Sequence, residues 1–569
     1  MLSYARSIGE IIAKAQVTNG GPVILFQPEN EYSQAVSGIE FPDPTYFGYV
    51  EQQFRDAGIV VPFLSNDAAP HGYFAPGQPA GVDIYGHDSY PLGFDCANPY
   101  TWPDGHLPTN FLTLHRQQSP STPYSITEFQ GGSFDPWGGS GFAQCTELLN
   151  AEFERVFYKN DFSFGMTIFN VYMTYGGTNW GNLGHPGGYT SYDYGAVITE
   201  DRLVTREKYS EAKLEANFLQ VSPAYLTAVA QNNTNANGSY TGNNALAVTA
   251  LLGHGDATNF YIIRHAAYNS LNSTEYSITL PTSQGTITIP QLGGSLVLNG
   301  RDSKFHVTDY DVGGANLLYS TAEIFTWKKY SDRTVLLVYG GPNEHHELAF
   351  TACGTANVVE GSNLNIQAKN GNIIIAFDTD SQRRIVQLEN GVYVYILDRN
   401  SAYNYWVLDL PSNQISGNYT NATVDASAAV VKAGYLLRTV EVNGDTMALT
   451  GDLNATTEIE IVGGAPACLN KLTWNGEALS FNQSAIGIVT ATACYTVPNF
   501  SIPDLSTLGW KSIDSLPEIQ ADYDDSLWTQ ASLTYSNNTA RNLTTPTSLY
   551  SSDYGYHTGN LIYLSLIHI

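Results

Sequence analysis

The chain has 569 residues, 43% of them hydrophobic and only 14% charged, which is enough apolar material for several buried cores and roughly three or four domains. Twenty-five basic residues stand against 53 acidic ones, and the resulting net charge of −28 repels phosphate backbones and anionic lipid. Nucleic acid and membrane are thereby excluded as partners, no stretch reaches the length of a transmembrane span, and the acidic excess suits a protein working at low pH.

The opening residues, MLSYARSIGEIIAKAQ, place Leu2, Ile8, Ile11, Ile12 and Ala15 at helical spacing among charges. They read as an amphipathic helix already inside a domain and not as a signal peptide. From there to residue 222, β-type runs (22–27, 59–64, 82–87, 124–129 and 166–173) alternate with helix-like segments such as 45–58 and 146–161. Apolar strands separated by helices predict a parallel sheet buried on both faces. Five such units without a Gly-x-Gly-x-x-Gly turn favour a (β/α) barrel over a dinucleotide fold.

Beyond residue 223 helical periodicity nearly vanishes. Short alternating segments, including NFYIIRH (259–265), TVLLVYG (334–340) and GVYVYILD (391–398), are punctuated by Asn-Gly turns such as Asn299-Gly300 and Asn443-Gly444. That pattern predicts antiparallel β sandwiches, over 223–405 and, as a smaller all-β domain, over 406–495. Ten Asn-x-Ser/Thr sequons, at Asn232, Asn237, Asn272, Asn418, Asn421, Asn454, Asn482, Asn499, Asn537 and Asn542, all fall after residue 231. Sequons also arise by chance in Asn- and Thr-rich β proteins, but their clustering favours a secreted chain carrying N-glycans. Five cysteines leave one without an internal partner.

Chemistry is concentrated at two strand ends. Gln27-Pro28-Glu29-Asn30-Glu31-Tyr32 follows the first run, and Thr127-Glu128-Phe129-Gln130-Gly131-Gly132 closes the fourth. The carboxyl ends of barrel strands are where such folds place their reacting groups. A lone strand-end glutamate is most often a surface residue or a loop cap. Two of them three strands apart can face each other across a barrel mouth, and a retaining glycosidase needs such a pair about 5–5.5 Å apart. In the large clan of barrel glycosidases the acid follows strand four, usually as Asn-Glu, and the nucleophile follows strand seven, which matches this spacing. The glycine-rich run 176–188 lacks the Lys-Ser/Thr and helix start of a phosphate cradle and reads as a close-packed loop beside the substrate. No His, Cys or carboxylate cluster has metal spacing, so neither a catalytic metal nor a cofactor is expected.

Four segments, in this order, resemble glycoside hydrolase family 35 and in particular its large multidomain fungal β-galactosidases: GGPVILFQPENEYS (20–33), HDSYPLGFDC (87–96), SITEFQGGSFDPWGG (125–139) and YMTYGGTNWGNLGHPGGYTSYDYGAVITEDR (172–202). The resemblance runs to about residue 558. It implies Glu31 as acid/base and Glu128 as nucleophile, Asn30 bonded to the sugar 2-hydroxyl, Tyr90, Tyr172 and Tyr194 at a galactose subsite, and Phe94 as its apolar wall. Each tyrosine, taken alone among 38, is more often a core or surface aromatic. A disulfide between Cys96 and Cys145 is implied, with free buried thiols as the alternative. Cys468 and Cys494 would form a second pair, leaving Cys353 over.

The implied fold is α/β plus all-β: strands 4–8 of a (β/α)8 barrel in 1–222, the two β domains, and the start of a jelly roll over 496–560. The implied activity is retaining exo-hydrolysis of terminal β-D-galactose from oligosaccharides and polysaccharides by a secreted, extracellular, monomeric enzyme. A retaining glycosidase of other sugar specificity and a non-catalytic carbohydrate-binding protein are the alternatives. With strands one to three lacking, about 150 or more residues would be absent, at typical barrel dimensions of ~250 residues, so the chain by itself is expected to be insoluble or inactive. The closing residues 561–569 resemble a translated adaptor and are expected to be a non-native tail.

Overall fold

The computed structural model describes residues 2–33, 37–180, 184, 187–231, 240–255, 257–352, 354–410, 428–538, 542–556 and 561–564. The chain divides into two compact units, one of residues 1–176 with 193–495 and one of 177–192 with 496–569.

In the first unit the amphipathic opening segment forms α1 (Leu2–Lys14), and the second expected helix forms α2 (Pro44–Asp56). Asp43 caps α2, its carboxylate accepting from Thr45 N and Tyr46 N, and Pro44 sits at the first helical position, where its missing N–H leaves no bond unmade. Four parallel strands follow in sequential order: β1 (Leu64–Asp67), β2 (Ile84–Ser89), β3 (Ser125–Gln130) and β4 (Ile168–Tyr172), with α3 (Phe111–Gln118) crossing between β2 and β3. The run 22–27, expected as a further strand, makes only single bridges, Gln16 with Val23 and Phe26 with Phe63. Phe26 N donates to Pro62 O, and the Phe26 carbonyl oxygen accepts from Leu64 N. Pro62 has no N–H to offer and Pro28 closes the other end, so the ladder cannot lengthen.

The helix expected over 146–161 is broken. It becomes α4 (Phe142–Leu148), then α5 (Ala151–Phe153), which runs through a π-helical turn (Glu154–Tyr158) into α6 (Lys159–Phe162). Asn150 restarts it by accepting from Glu152 N and Phe153 N, the action of an N-cap residue. The last helix of this region, α7 (Glu207–Gln220), buries Lys208, Glu211, Leu214, Glu215 and Phe218.

From residue 229 to 398 the fold has two large sheets and two small two-stranded ones (278–282 with 285–289, and 273–276 with 296–299). Eight antiparallel strands run in the order 365–369, 372–378, 345–351, 315–320, 303–312, 259–265, 246–252, 229–230. Five more run in the order 323–329, 334–340, 392–398, 384–388, 356–360, and one of their pairings (334–340 with 392–398) is parallel. Strict alternation is not needed here, because both faces are covered: strand Thr334–Gly340 is buried at every position. A smaller sandwich of five and four strands spans 405–493 around Trp406, Met447, Leu449, Ile461 and Trp474.

Helices and sheets are joined by a buried ionic cluster. Lys304 Nζ lies 2.9 Å from both Asp302 and Glu344, Arg399 lies 2.7 Å from Asp302, Lys159 lies 2.6 Å from Glu323, and Arg155 lies 3.2 Å from Glu211 on α7.

One expectation fails. Cys468 and Cys494 are free and exposed thiols, Cys468 shortly before strand 471–474 of the four-stranded sheet and Cys494 directly after strand 489–493 of the five-stranded one; Cys353 lies outside the described residues. Over 496–560, where the start of a jelly roll is expected, no strand forms among the described residues of the second unit, only short 3₁₀ turns at 505–507, 517–519 and 551–554. Ile513 and Leu527 there are each 94% exposed. A β segment without partner strands has nowhere to place its backbone donors or its apolar face.

Candidate active site

The ends of β1, β2 and β3 and the loop after Phe26 converge on one cleft. Asn66, near the end of β1, is its hub. Its carbonyl oxygen accepts from Glu31 N at 2.8 Å and from Gln27 Nε2 at 3.0 Å, while its amide donates to Asn30 Oδ1 (3.0 Å), Asp88 Oδ2 (2.7 Å) and, more weakly, Glu128 Oε1 (3.4 Å). Glu31 stands at φ 47°, a left-handed conformation that a non-glycine residue holds only where surrounding bonds over-determine it. The neighbouring Glu29 is drawn away by the Tyr46 hydroxyl of α2, which leaves Glu31 as the carboxylate facing the cleft.

Glu128 is placed by an irregularity in the parallel ladder. The register of β2 against β3 shifts after His87, so that Asp88 comes opposite Glu128. Room for this exists because residue 86 is glycine: a Cβ there would stand 2.5 Å from the Thr127 side chain. Thr127 Oγ1 then donates to Asp88 Oδ1 at 2.9 Å, and the Tyr90 hydroxyl donates to Glu128 Oε2 at 2.5 Å. One oxygen from each of Glu31, Asp88 and Glu128 lies within 4.8 Å of the other two.

Burial is the first determinant of charge here. It pushes the Asp88 carboxyl up from its ordinary 3.8 to about 9, helped by the Glu128 charge and by Glu31, with the Thr127 hydroxyl acting in the opposite sense. Burial also raises Glu128; the Tyr90 hydroxyl opposes that and the Glu31 charge adds to it. The Tyr90 phenol is raised by burial and by its bond to Glu128, so it stays a donor. Three converging carboxylates could geometrically take a cation. The donors already aimed at Asp88 and Glu128, from Asn66, Thr127 and Tyr90, would have to be displaced for that, and they make the cluster a hydrogen-bonded one.

The aromatic wall is continuous. Tyr90 meets Phe94 (5.5 Å between ring centres) and Tyr172 (6.2 Å), and Tyr172 meets Tyr194 edge-on at 5.6 Å. The chain after Glu128 fixes that wall: Gly131 N donates to Tyr172 O and Ser133 N to Tyr194 O. Gly132 is obligatory, since a Cβ would stand 2.3 Å from both the ring and the carbonyl of Tyr194. Lys208 of α7, buried, donates at 2.9 Å to the carbonyls of Gly131 and of Gly195. Behind the cleft Cys96 and Cys145 are disulfide-bonded, tying the loop after β2 to α4.

Of the residues singled out in the sequence, Asn30, Glu31, Tyr90, Phe94, Glu128, Tyr172 and Tyr194 thus line or adjoin one cleft. Asp88 and Asn66 were not singled out. Both occupy strand ends, and the rule that picked out Glu31 and Glu128 applies to them equally.

This arrangement coincides with family-level similarity. Residues 1–218 match the profile of glycosyl hydrolases family 35, residues 229–405 that of β-galactosidase domain 2, residues 406–490 that of β-galactosidase domain 3, and residues 523–567 that of the β-galactosidase second all-beta domain. The chain is 58% identical over 566 residues to β-galactosidase A of a Penicillium species and 56% identical over 564 residues to β-galactosidase of Aspergillus niger. Each alignment covers 99% of this chain and 56% of the relative, so the chain spans about half the length of the curated relatives it matches. Residues 1–218 belong to glycosyl hydrolase family 35. No helix among the described residues is long and apolar enough to cross a membrane.

Proposed function

We propose that the cleft is the reacting centre of a retaining exo-β-galactosidase that releases terminal non-reducing β-D-galactose from oligosaccharides and polysaccharides. The observation that carries this reading is the approach of Glu31 and Glu128 to within 4.8 Å across the ends of neighbouring elements, the separation of a nucleophile and an acid/base rather than of an inverting pair. Glu128 attacks the anomeric carbon as Glu31 gives its proton to the departing oxygen. The ester so formed is uncharged, and Glu31, now a carboxylate, takes a proton from the water that opens it. Configuration is retained because the carbon is displaced twice.

Asn30 is proposed to bond the 2-hydroxyl, where the interaction strengthens as the oxocarbenium-like transition state forms. Tyr90, Tyr172 and Tyr194 flank the galactose and Phe94 packs on its apolar face. Asp88 acts as an uncharged neighbour that lowers the number of negative charges in the cleft. The parallel order of β1 to β4, extended by the bridge at Phe26, supports reading 1–222 as an arc of a (β/α)8 barrel. The domain limits 223–405 and 406–495 and a jelly-roll beginning over 496–560 belong to the same proposal, as do secretion, N-glycosylation and a monomeric state.

The test is covalent trapping. The full-length protein is incubated with a 2-deoxy-2-fluoro-β-galactoside and the labelled peptide is mapped by mass spectrometry. The label is expected on Glu128. Labelling of Glu128 by the gluco or manno analogue but not by the galacto compound would overturn the sugar, and absence of label from all three on folded protein would overturn the enzyme reading.

A further inference from the structure

A cavity of about 700 Å³, whose lining shares no residue with the catalytic cleft described above, opens where α7 meets the small sandwich. Its walls include Tyr209, Tyr403, Trp406 and Tyr435, with Asn404 among the polar groups. The volume is that of a small-ligand site, and aromatic faces mixed with amides suit a ligand with one apolar and one hydroxylated side, which is the chemistry of a sugar ring.

The walls are held in place. The Trp406 indole N–H donates to Gly434 O at 3.1 Å, and the Lys213 ammonium sits 3.8 Å over the Trp406 ring while donating to Tyr403 O at 2.6 Å. The Tyr435 hydroxyl accepts from Val204 N at 3.3 Å. Lys432, also on the lining, is engaged by Glu460 at 2.8 Å. An uncharged occupant is therefore favoured over an anionic one.

The rim carries its own source of sugar. Asn454 and Thr456, which line the cavity, are the first and last residues of the sequon Asn454-Ala455-Thr456. All three are exposed, on the turn between strands Thr446–Asp452 and Thr457–Gly463.

We propose that Asn454 is N-glycosylated and that the first sugars of this glycan lie in the cavity, packed on its aromatic wall. This rests on the secretion reading above. In the modification the Asn454 amide nitrogen attacks the anomeric carbon of an oligosaccharide carried on a lipid pyrophosphate. A C–N bond forms, the C–O bond to the pyrophosphate breaks, one amide proton is lost, and the lipid pyrophosphate leaves. Attachment then makes docking intramolecular, at an effective concentration on the order of millimolar, so weak stacking suffices to hold the glycan.

The experiment compares two sequons on one protein. Full-length protein secreted from a yeast or filamentous-fungal host is treated with an endoglycosidase in its native state, and release is followed site by site by mass spectrometry. The Asn454 glycan is expected to be trimmed about tenfold more slowly than that on the exposed Asn272, equivalent to ~1.4 kcal/mol of packing, and the difference is expected to vanish after denaturation. Equal native rates overturn the proposal. So does an unmodified Asn454 beside a modified Asn272; if no sequon at all is modified, the secretion reading falls with it. Crystals of Asn454→Gln protein soaked with N,N′-diacetylchitobiose that show the disaccharide in the cavity, together with an unmodified Asn454 in the parent, would assign the site to dissolved saccharide instead.

Discussion

Two regions of this chain bury carboxyl groups in clusters, and their protons behave oppositely. In the cleft, burial raises Asp88 to about 9 and raises Glu128 as well. In the cluster between helices and sheets, burial also pushes upward, yet Lys304 and His346 hold Glu344 down to about 2, and Arg399, Lys304 and Arg155 hold Asp302 well below the usual range. Desolvation has the same sign in both places; the partners decide. Asn66, Thr127 and Tyr90 satisfy hydrogen-bonding capacity without supplying charge, whereas Lys304 and Arg399 supply both. The proposed reacting centre is lined with neutral donors, and the joint between helices and sheets is filled with cations.

The largest expected effect removes the cleft's reacting group. Glu128→Gln should lower turnover by roughly 10⁴-fold or more, read as galactoside hydrolysis by the full-length protein. Glu31→Gln should slow the first step only for substrates with poor leaving groups; equal loss for good and poor leaving groups would break the assignment. Next, Lys304→Met takes the lysine cation from Glu344 and leaves Asp302 with its arginine partners only, and should cost about 3–5 kcal/mol, measured by denaturant unfolding. A loss under about 1 kcal/mol, the scale of an exposed pair, would put the cluster's stability elsewhere.

The cleft relies on a covalent tie where the cluster relies on charge. Cys96→Ser with Cys145→Ser opens a loop of 49 residues and should cost roughly 2–4 kcal/mol, with little change in the pH dependence of stability. The smallest effect is the most diagnostic. A carboxyl whose folded value is raised stabilises fully below its ordinary value and loses that contribution as pH climbs, so Asp88 weakens the fold progressively from near 3.8 towards about 9. Asp88→Asn, uncharged throughout, should therefore gain thermal stability relative to the parent over that interval. Glu344 runs the other way: its contribution is present above its ordinary 4.5 and is lost as pH falls through about 2. A parent-to-variant gap for Asp88→Asn that does not change with pH would show that Asp88 is already ionised.

What could be read in the sequence follows from the range of each interaction. Glu31 and Glu128 were legible because a local pattern, an apolar run ending in a carboxylate, places them at strand ends. The alternation in 259–265 and 334–340 likewise announced strands. Local pattern did not reveal that Pro62 would cut short the pairing of 22–27, nor that Asn150 would restart a helix whose apolar spacing runs straight through it. Asp88 obeys the same rule at its own strand end, within HDSYP, but the local pattern there does not distinguish it from the polar residues beside it. The helical spacing of 146–161 says nothing of the partners of Arg155 and Lys159, and only the fold brings Asp302, Glu323 and Glu211 to them.

Lys208 holds the two carbonyls that shape the cleft, while Glu211, one helical turn along, belongs to the ionic cluster, and Leu214 and Phe218 lie in cores built mostly from β strands. Helix α7 is thus shared property: its sequence falls on one side of the boundary at 222 and its packing on the other. The catalytic region and the sandwich that follows should melt as one cooperative body, and shuffling schemes that cut there would trade away the cleft along with the joint. A workable crossover point has to leave α7 and the strands around it with the same parent.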